Sequence, residues 1–376
     1  MIAPIANVFS CSNGESTEPI GPSPEVASPG MLGGLKSGDD LIFEERHLQP
    51  STWRRKRIVM GMTPMMQQYH EAKEACGDAI LLFRMGDFYE LFNDDAVTCA
   101  RVLGMTLTSR DKGENATPMA GFPHHQLDGY LAKLIHLGYR VGICDQVEDP
   151  KEAKGIVRRE VTRIVSPGTL TDDSLLEPKE SNYLAAIVAD DRKKHATGEV
   201  GIAWVEMSTG VFFAGTFAGD RLADQLARIG PAECLLAEDV GSLPPHLAER
   251  IHLTRRPAWA FAAKTTRDCL LSHFGTANLD GLGFGDDDHL AIRAAGGVID
   301  YLNETQKVSL SHIDKLTPYR TGTTLEIDEA TRRSLELTRT IRDGRRDGTL
   351  VAVMDRCVTP MGSRVLAQWL ANPLTD

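Results

Sequence analysis

Phe88 and Glu90 stand two residues apart in the segment FRMGDFYELF, Phe83 to Phe92, just after Gly86. On an extended chain, side chains at i and i+2 share one face, so a ring and a carboxylate would project together. An exposed pair of this kind suits the probing of stacked bases: the ring wedges between them and the carboxylate accepts a base N–H. Gly86 lets backbone approach closely. The same letters also fit a half-buried strand with Phe88 and Phe92 turned into a core. Glu90 would then lie between two rings and need a buried partner or a shifted pKa. The local pattern leaves both readings open.

Other residue groupings offer less chemistry. The formal net charge of -11 requires any phosphate-binding surface to be locally concentrated. The best local run is Lys151 to Arg163, where Lys151, Lys154, Arg158, Arg159 and Arg163 outnumber Glu152 and Glu160. Such a run is also the ordinary make-up of a solvated face. His124 and His125 are neighbours whose side chains point apart, which favours a polar helix start or a surface contact over a shared metal ion. The seven cysteines are scattered without a C-x-x-C pair, as expected of reduced thiols and not of zinc. There is no G-x-x-x-x-G-K-[ST] loop for a nucleoside triphosphate and no G-x-S-x-G elbow for a nucleophilic hydrolase. GLGFGDDD, Gly281 to Asp288, reads as a flexible acidic loop, because no strand precedes it and its glycine spacing is wrong for a dinucleotide.

The elements that must position Phe88 and Glu90 are legible around them. With 376 residues, 42% hydrophobic and 25% charged, the chain is expected to form two or three globular domains. It has no run of eighteen apolar residues and no signal-peptide order, so a cytoplasmic protein without membrane contact is expected. Residues 1–62 are rich in Gly, Pro, Ser and Glu and read as a disordered extension. Met60-Gly61-Met62-Thr63-Pro64 resembles a start of translation, which makes Met60 or Met62 the expected initiator.

From Thr63 helix and strand signals alternate: a helix after Pro64, one long strand or two in AILLFRMGDFYELF, a helix in DDAVTCARVLG, a strand in MTLTSR, a helix in HHQLDGYLAKLIHLG and a strand in YRVGICDQV. A mixed α/β domain follows from this alternation. NYLAAIVAD, EVGIAWVEMST and GVFFAGTFAG are three consecutive strand-like runs, followed by a helix from about Arg221 to Ile229 and the apolar ECLLAE. That order resembles the ribonuclease H-like layout, which raises a Mg²⁺-dependent nuclease as an alternative, with Asp190 and Glu206 as its nearest acids. Leu290 to Gln306 and Glu329 to Asp343 read as helices, with Gly296 and Gly297 permitting close packing. PMGSRVLAQWLANPLTD starts a further helix whose Trp369 and Leu370 need a partner, as in a chain cut within a domain.

Five segments in order, TPMMQQYHEAK, FRMGDFYELF, ATPMAGFPHHQLDGYLAKLI, VGICDQVEDP and RIVSPGTLTDD, together resemble the bacterial MutS family of DNA mismatch-recognition proteins. TLEIDEATRRSLELT and VTPMGSRVLAQWLANPL are similar to the start of that family's core domain. The resemblance covers about 63–376. It implies an α/β multidomain chain: a mismatch-binding domain at 63–177, a ribonuclease H-like connector at 183–300, and the start of an all-α core domain at 301–376. It also implies that Phe88 stacks on a mispaired base from the minor groove while Glu90 hydrogen-bonds that base. Met85, Gly86 and Asp87 match the same loop, and Arg110 and Arg159 stand where backbone or groove contacts belong. The implied partners are double-stranded DNA with mispaired or unpaired bases, a MutL-type protein docking on the connector, and, for the full-length form, a second copy in a homodimer. ATP and Mg²⁺ are implied for the full-length form alone, with no cofactor or catalytic residue in the present chain, and the implied location is cytoplasmic and nucleoid-associated.

Overall fold

The computed structural model describes residues 63–109, 116–149, 155–189, 198–241, 243, 245–248, 251–307, 309–322 and 324–375. The expected extension 1–62, the initiator methionines, Arg110, Lys151, Lys154 and Asp190 lie outside the described residues.

The first α/β unit opens with helix α1 (Pro64–Cys76), followed by β1 (Ile80–Met85), β2 (Phe88–Phe92), α2 (Asn93–Leu103), β3 (Thr108–Ser109), β4 (Pro118–Pro123), α3 (Leu127–His136), β5 (Val141–Gln146) and β6 (Arg159–Val165). The strands form one sheet in the order β3-β4-β2-β1-β5-β6, with β1 and β5 parallel and the other neighbours antiparallel. The long apolar stretch is thus two strands, because Gly86 at φ +59° turns the chain back. Alternation divides the side chains between two layers. Leu82, Tyr89, Leu91 and Phe122 pack with α2 and α3 on one face, while Leu81, Phe83 and Phe92 pack with Met65 and Tyr69 of α1 on the other.

The second unit comprises β7 (Tyr183–Ala189), β8 (Glu199–Glu206), β9 (Val211–Ala218), α4 (Leu222–Ile229), β10 (Glu233–Ala237), α5 (Pro245–Ala248), β11 (His252–Arg256), α6 (Ala263–Phe274), α7 (His289–Thr305) and β12 (Leu316–Pro318). Its sheet runs β11-β10-β7-β8-β9-β12, an antiparallel meander β7-β8-β9 extended by parallel strands on both sides. Tyr183 to Val188 alternate between two buried layers, which is why that strand reads as an unbroken apolar run. The glycine pair of α7 does permit close packing: a Cβ on Gly296 would stand 2.3 Å from Thr266 Cβ, and one on Gly297 2.4 Å from the Phe261 ring. α7 crosses residue 300, and β12 carries the second sheet on to Pro318.

Two expectations are corrected here. The acidic stretch before α7 is an ordered support: Asp288 accepts the Gly285 N–H at 2.9 Å and holds Arg320 at 2.5 and 2.8 Å. The helix expected over Glu329–Asp343 stops at Ser334, leaving α8 (Glu329–Ser334), because Glu336 takes φ +45° and its carboxylate and carbonyl cap the chain at Ile341 and Leu350. α9 (Leu350–Met354) and α10 (Pro360–Ala371) follow, each opened by a threonine whose hydroxyl accepts a backbone N–H, Thr349 and Thr359. Trp369 is exposed on α10.

The two α/β units meet along a polar seam. Glu233, fully buried, accepts hydrogen bonds from Ser166 Oγ, from the Gly168 N–H at 2.9 Å, from Thr254 Oγ1 at 2.6 Å and from Tyr301 Oη at 2.8 Å. A buried carboxylate is tolerable because four donors replace its water. Beside it Gln306 Nε2 donates to the Ile164 carbonyl at 3.2 Å. Arg256 holds Asp300 at 2.9 Å and Glu304 at 2.5 Å.

Candidate functional site

The hairpin of β1 and β2 closes on the pair Met85 and Phe88, with Gly86 and Asp87 as a two-residue turn. Glycine at the first turn position supplies the positive φ that such tight hairpins need. The turn is held from the neighbouring strand: β4 pairs Pro123 with Phe88, which brings His124 against the turn. The His124 N–H donates to the Asp87 carbonyl at 2.8 Å, and its Nδ1 lies 3.1 Å from the same oxygen. Arg84 Nε donates to the Gly86 carbonyl from within the hairpin. His124 and His125 occupy a short 3-10 turn at the start of α3, with ring planes at 80°. Their sequence signal was present, but the role of His124 appears only once strand register is known.

Phe88, Glu90 and Phe92 do share one face, yet their surroundings differ. Phe92 is buried, its ring centroid 4.9 Å from that of Tyr69 on α1. Phe88 is 47% exposed. Four residues of extended chain separate the two by about 13 Å, which carries Phe88 past the cover that Tyr69 provides. The reading with both rings in a core therefore holds for Phe92 and fails for Phe88. Glu90 is half-buried between them, opposite Phe83 on one side and Gly121 on the other. Tyr89, on the other face, anchors the hairpin by a 2.6 Å hydrogen bond to Asp145.

Arg159 stands beneath this face and turns inward. Its Nε donates to the Arg84 carbonyl at 2.6 Å, its Nη1 to the Val157 carbonyl at 2.8 Å and to Gln68 Oε1 at 3.2 Å, and its guanidinium lies 5.4 Å from the Phe83 ring centre. Burial lowers the pKa of Arg159, opposed by the nearby Cys144 and Glu90. Its Nε and Nη1 are engaged in holding the Arg84 carbonyl of β1, Gln68 of α1 and the Val157 carbonyl. Of the other cations in the basic run, Arg158 pairs with Glu160 and Arg163 with Asp172 at 2.9 Å. Met85 is partly buried against the α1 layer, while Asp87 is exposed at the turn.

Of the two acids expected near the second sheet, Glu206 lies among the described residues. Glu206 is buried, accepts from Thr209 Oγ1 at 2.9 Å, and has Arg364 of α10 at 3.6 Å. Among the described residues no three His, Cys, Asp or Glu side chains group to hold a metal ion, and no helix is long and apolar enough to cross a membrane.

The chain is similar to known proteins over these same regions. Family profiles match in order: MutS domain I over residues 63–174, MutS domain II over 182–314 and MutS domain III over 330–376. A DNA mismatch repair protein MutS of Rhodopirellula baltica is 58% identical over 330 residues, 84% of this chain and 37% of the relative. MutS proteins of Symbiobacterium thermophilum and Syntrophomonas wolfei are 46% and 44% identical, over 84% of this chain and 36% and 37% of their own lengths. The chain thus spans little more than a third of the curated relatives that it matches.

Proposed function

This chain belongs to the MutS family, and from that premise we propose that it binds duplex DNA at mispaired or unpaired bases, with Phe88 as the wedge and Glu90 as its polar check. One observation carries the reading: on a single strand face Phe92 is buried while Phe88, at the tip, is 47% exposed beside a half-buried carboxylate. Inserting an apolar ring partly unstacks a base step and kinks the duplex, at a cost of a few kcal/mol that is least where pairing is already defective. Selectivity then comes from deformability. A carboxylate near phosphates repels, so Glu90 favours docking only where a base donor meets it.

Met85, Gly86 and Asp87 shape the tip in this reading, and Arg159 serves by holding β1 from below. Arg110 is assigned a backbone or groove contact from its place in the motif. The second unit is assigned as the connector, its strand order being that of the ribonuclease H-like layout, with a MutL-type protein as its partner. The residues after it are assigned to the start of the helical core. Homodimer formation and ATP- and Mg²⁺-dependent signalling are assigned to full-length relatives. The nuclease alternative is not favoured, since Glu206 is buried against Thr209 and Arg364.

The test compares binding of a homoduplex with binding of G·T and unpaired-T duplexes, for the natural chain and for Phe88→Ala. The natural chain should prefer the defective duplexes and the variant should lose that preference. Equal discrimination by both removes Phe88 from the role.

A further inference from the structure

Where α4, residues 319–322 and 324–327, and α8 meet, Arg332 lies buried and Arg228 half-buried, each with an N–H group that nothing in the described structure accepts. Arg332 of α8 is 7% exposed, and its Nε is buried with no hydrogen-bond partner. Arg228 of α4 gives Nε to Gln225 at 2.8 Å and Nη1 to Asn372 at 3.2 Å, while its Nη2 is likewise buried and unmatched. The Arg228 guanidinium is fixed in place by rings, 4.1 Å from the centre of Tyr319 and 4.9 Å from that of Trp204. Arg228 and Arg332 line one small cavity of about 20 Å³. That is a little more than the space one water-sized particle needs.

Charge around the cavity is out of balance. Its lining holds three arginines, Arg221, Arg228 and Arg332, and two acids, Asp224 and Glu326. Asp224 is divided between Arg221, at 3.2 Å, and the Glu329 N–H, at 2.8 Å, and Glu326 is exposed. Burial lowers the pKa of both inner guanidiniums; for Arg228 the Tyr319 hydroxyl opposes this and the charge of Arg332 adds to it, leaving a value of about 10, while for Arg332 the Tyr319 hydroxyl and Asp224 oppose it. Guanidinium side chains stay cationic at neutral pH. A water molecule could accept these N–H groups but would leave the positive charge of the lining unanswered. An anion answers both needs, since charge-assisted hydrogen bonds neutralise as well as satisfy.

We propose that this cavity is a binding site for a monoatomic, halide-sized anion, chloride under ordinary conditions, held between Arg228 Nη2 and Arg332 Nε. The site is complete only when α4, residues 319–322 and 324–327, and α8 are together. Anion binding therefore stabilises the joint between the second α/β unit and the helices that follow it.

Two measurements on the full 376-residue chain test this. In scanning calorimetry at constant ionic strength, replacing sodium gluconate by sodium chloride should raise the unfolding midpoint by about 2–4 °C. The same exchange should leave Arg332→Leu unmoved. Crystals of the natural chain grown in sodium bromide should show an anomalous peak between the two guanidinium groups. Equal midpoints in the two salts, an undiminished chloride effect in Arg332→Leu, or a cavity without an anomalous peak each overturn the proposal. Should Arg332→Leu not fold, the bromide peak in the natural chain decides: present it supports the site, absent it removes it.

Discussion

The Asp87 carbonyl oxygen faces both the backbone N–H of His124, at 2.8 Å, and the ring Nδ1 of the same histidine, at 3.1 Å. A residue 37 positions away thus grips the turn that presents Phe88. His124→Ala keeps the backbone bond and loses the ring contact, which should cost about 0.5–1.5 kcal/mol of stability. Its larger effect should be on preference for mismatched over perfect duplex, read from the ratio of the two dissociation constants. A ratio equal to that of the natural chain would show that the ring has no part in aiming Phe88.

Gly86 tests the turn from the other side. Its φ of +59° disfavours any L side chain, although a Cβ there would meet nothing within 4 Å. Gly86→Ala should cost about 1–2 kcal/mol for backbone reasons alone, while Gly86→Asn should lose less, because Asn enters this region more readily. Urea midpoints for the two variants give the comparison, and a Gly86→Ala protein as stable as its parent would contradict the turn geometry.

Glycine at position 201 is required for a different reason. A Cβ there would stand 2.2 Å from the carbonyl carbon and oxygen of Leu290, both backbone atoms at the start of α7. Gly201→Ala should therefore destabilise the second unit by about 3 kcal/mol, the upper range for overpacking. Gly129→Ala is the contrast: it sits in α3 with nothing within 4 Å, and should stabilise by about 0.4–1 kcal/mol. Paired denaturation curves separate the two cases.

Asp355 predicts how the helical segment responds to acid. The Cys357 N–H, the Ser363 hydroxyl, Arg346 and Lys179 hold its carboxyl well below the usual range, in that order of effect. Because the folded value lies below the unfolded one, near 4, its contribution is complete above about pH 4 and is lost as pH falls through the folded value. Melting temperatures of the natural chain and Asp355→Asn should differ at pH 6 and converge toward pH 2. A gap that stays constant over that range would remove the carboxylate from the joint.

Much of this architecture is legible in the sequence, and the exceptions share a cause. Most helices and strands through Ile229 follow from local periodicity, as does the close-packing pair in α7, whereas β4 and β6 carry no pattern that announces them and Gly86 shows its turn only once β1 and β2 are paired. The Phe88 and Glu90 spacing announces a shared face. What spacing cannot supply is which part of that face is covered, since Tyr69 reaches Phe92 from a helix 23 residues earlier. Arg159 is the same case: its inward turn depends on the Arg84 carbonyl, 75 residues away. The region after Ser334 departs from its helical pattern because Glu336 adopts a left-handed conformation, which no residue type there announces.

Strand β6 has a further consequence. At one end Arg159 bonds the Arg84 carbonyl under the hairpin, and at the other the Ile164 carbonyl receives Gln306 and Ser166 meets the buried Glu233. Seven extended residues span roughly 20 Å, and an extended chain does not stretch. The footing of the Phe88 hairpin and the seam between the two units are therefore opposite ends of a single inextensible tie.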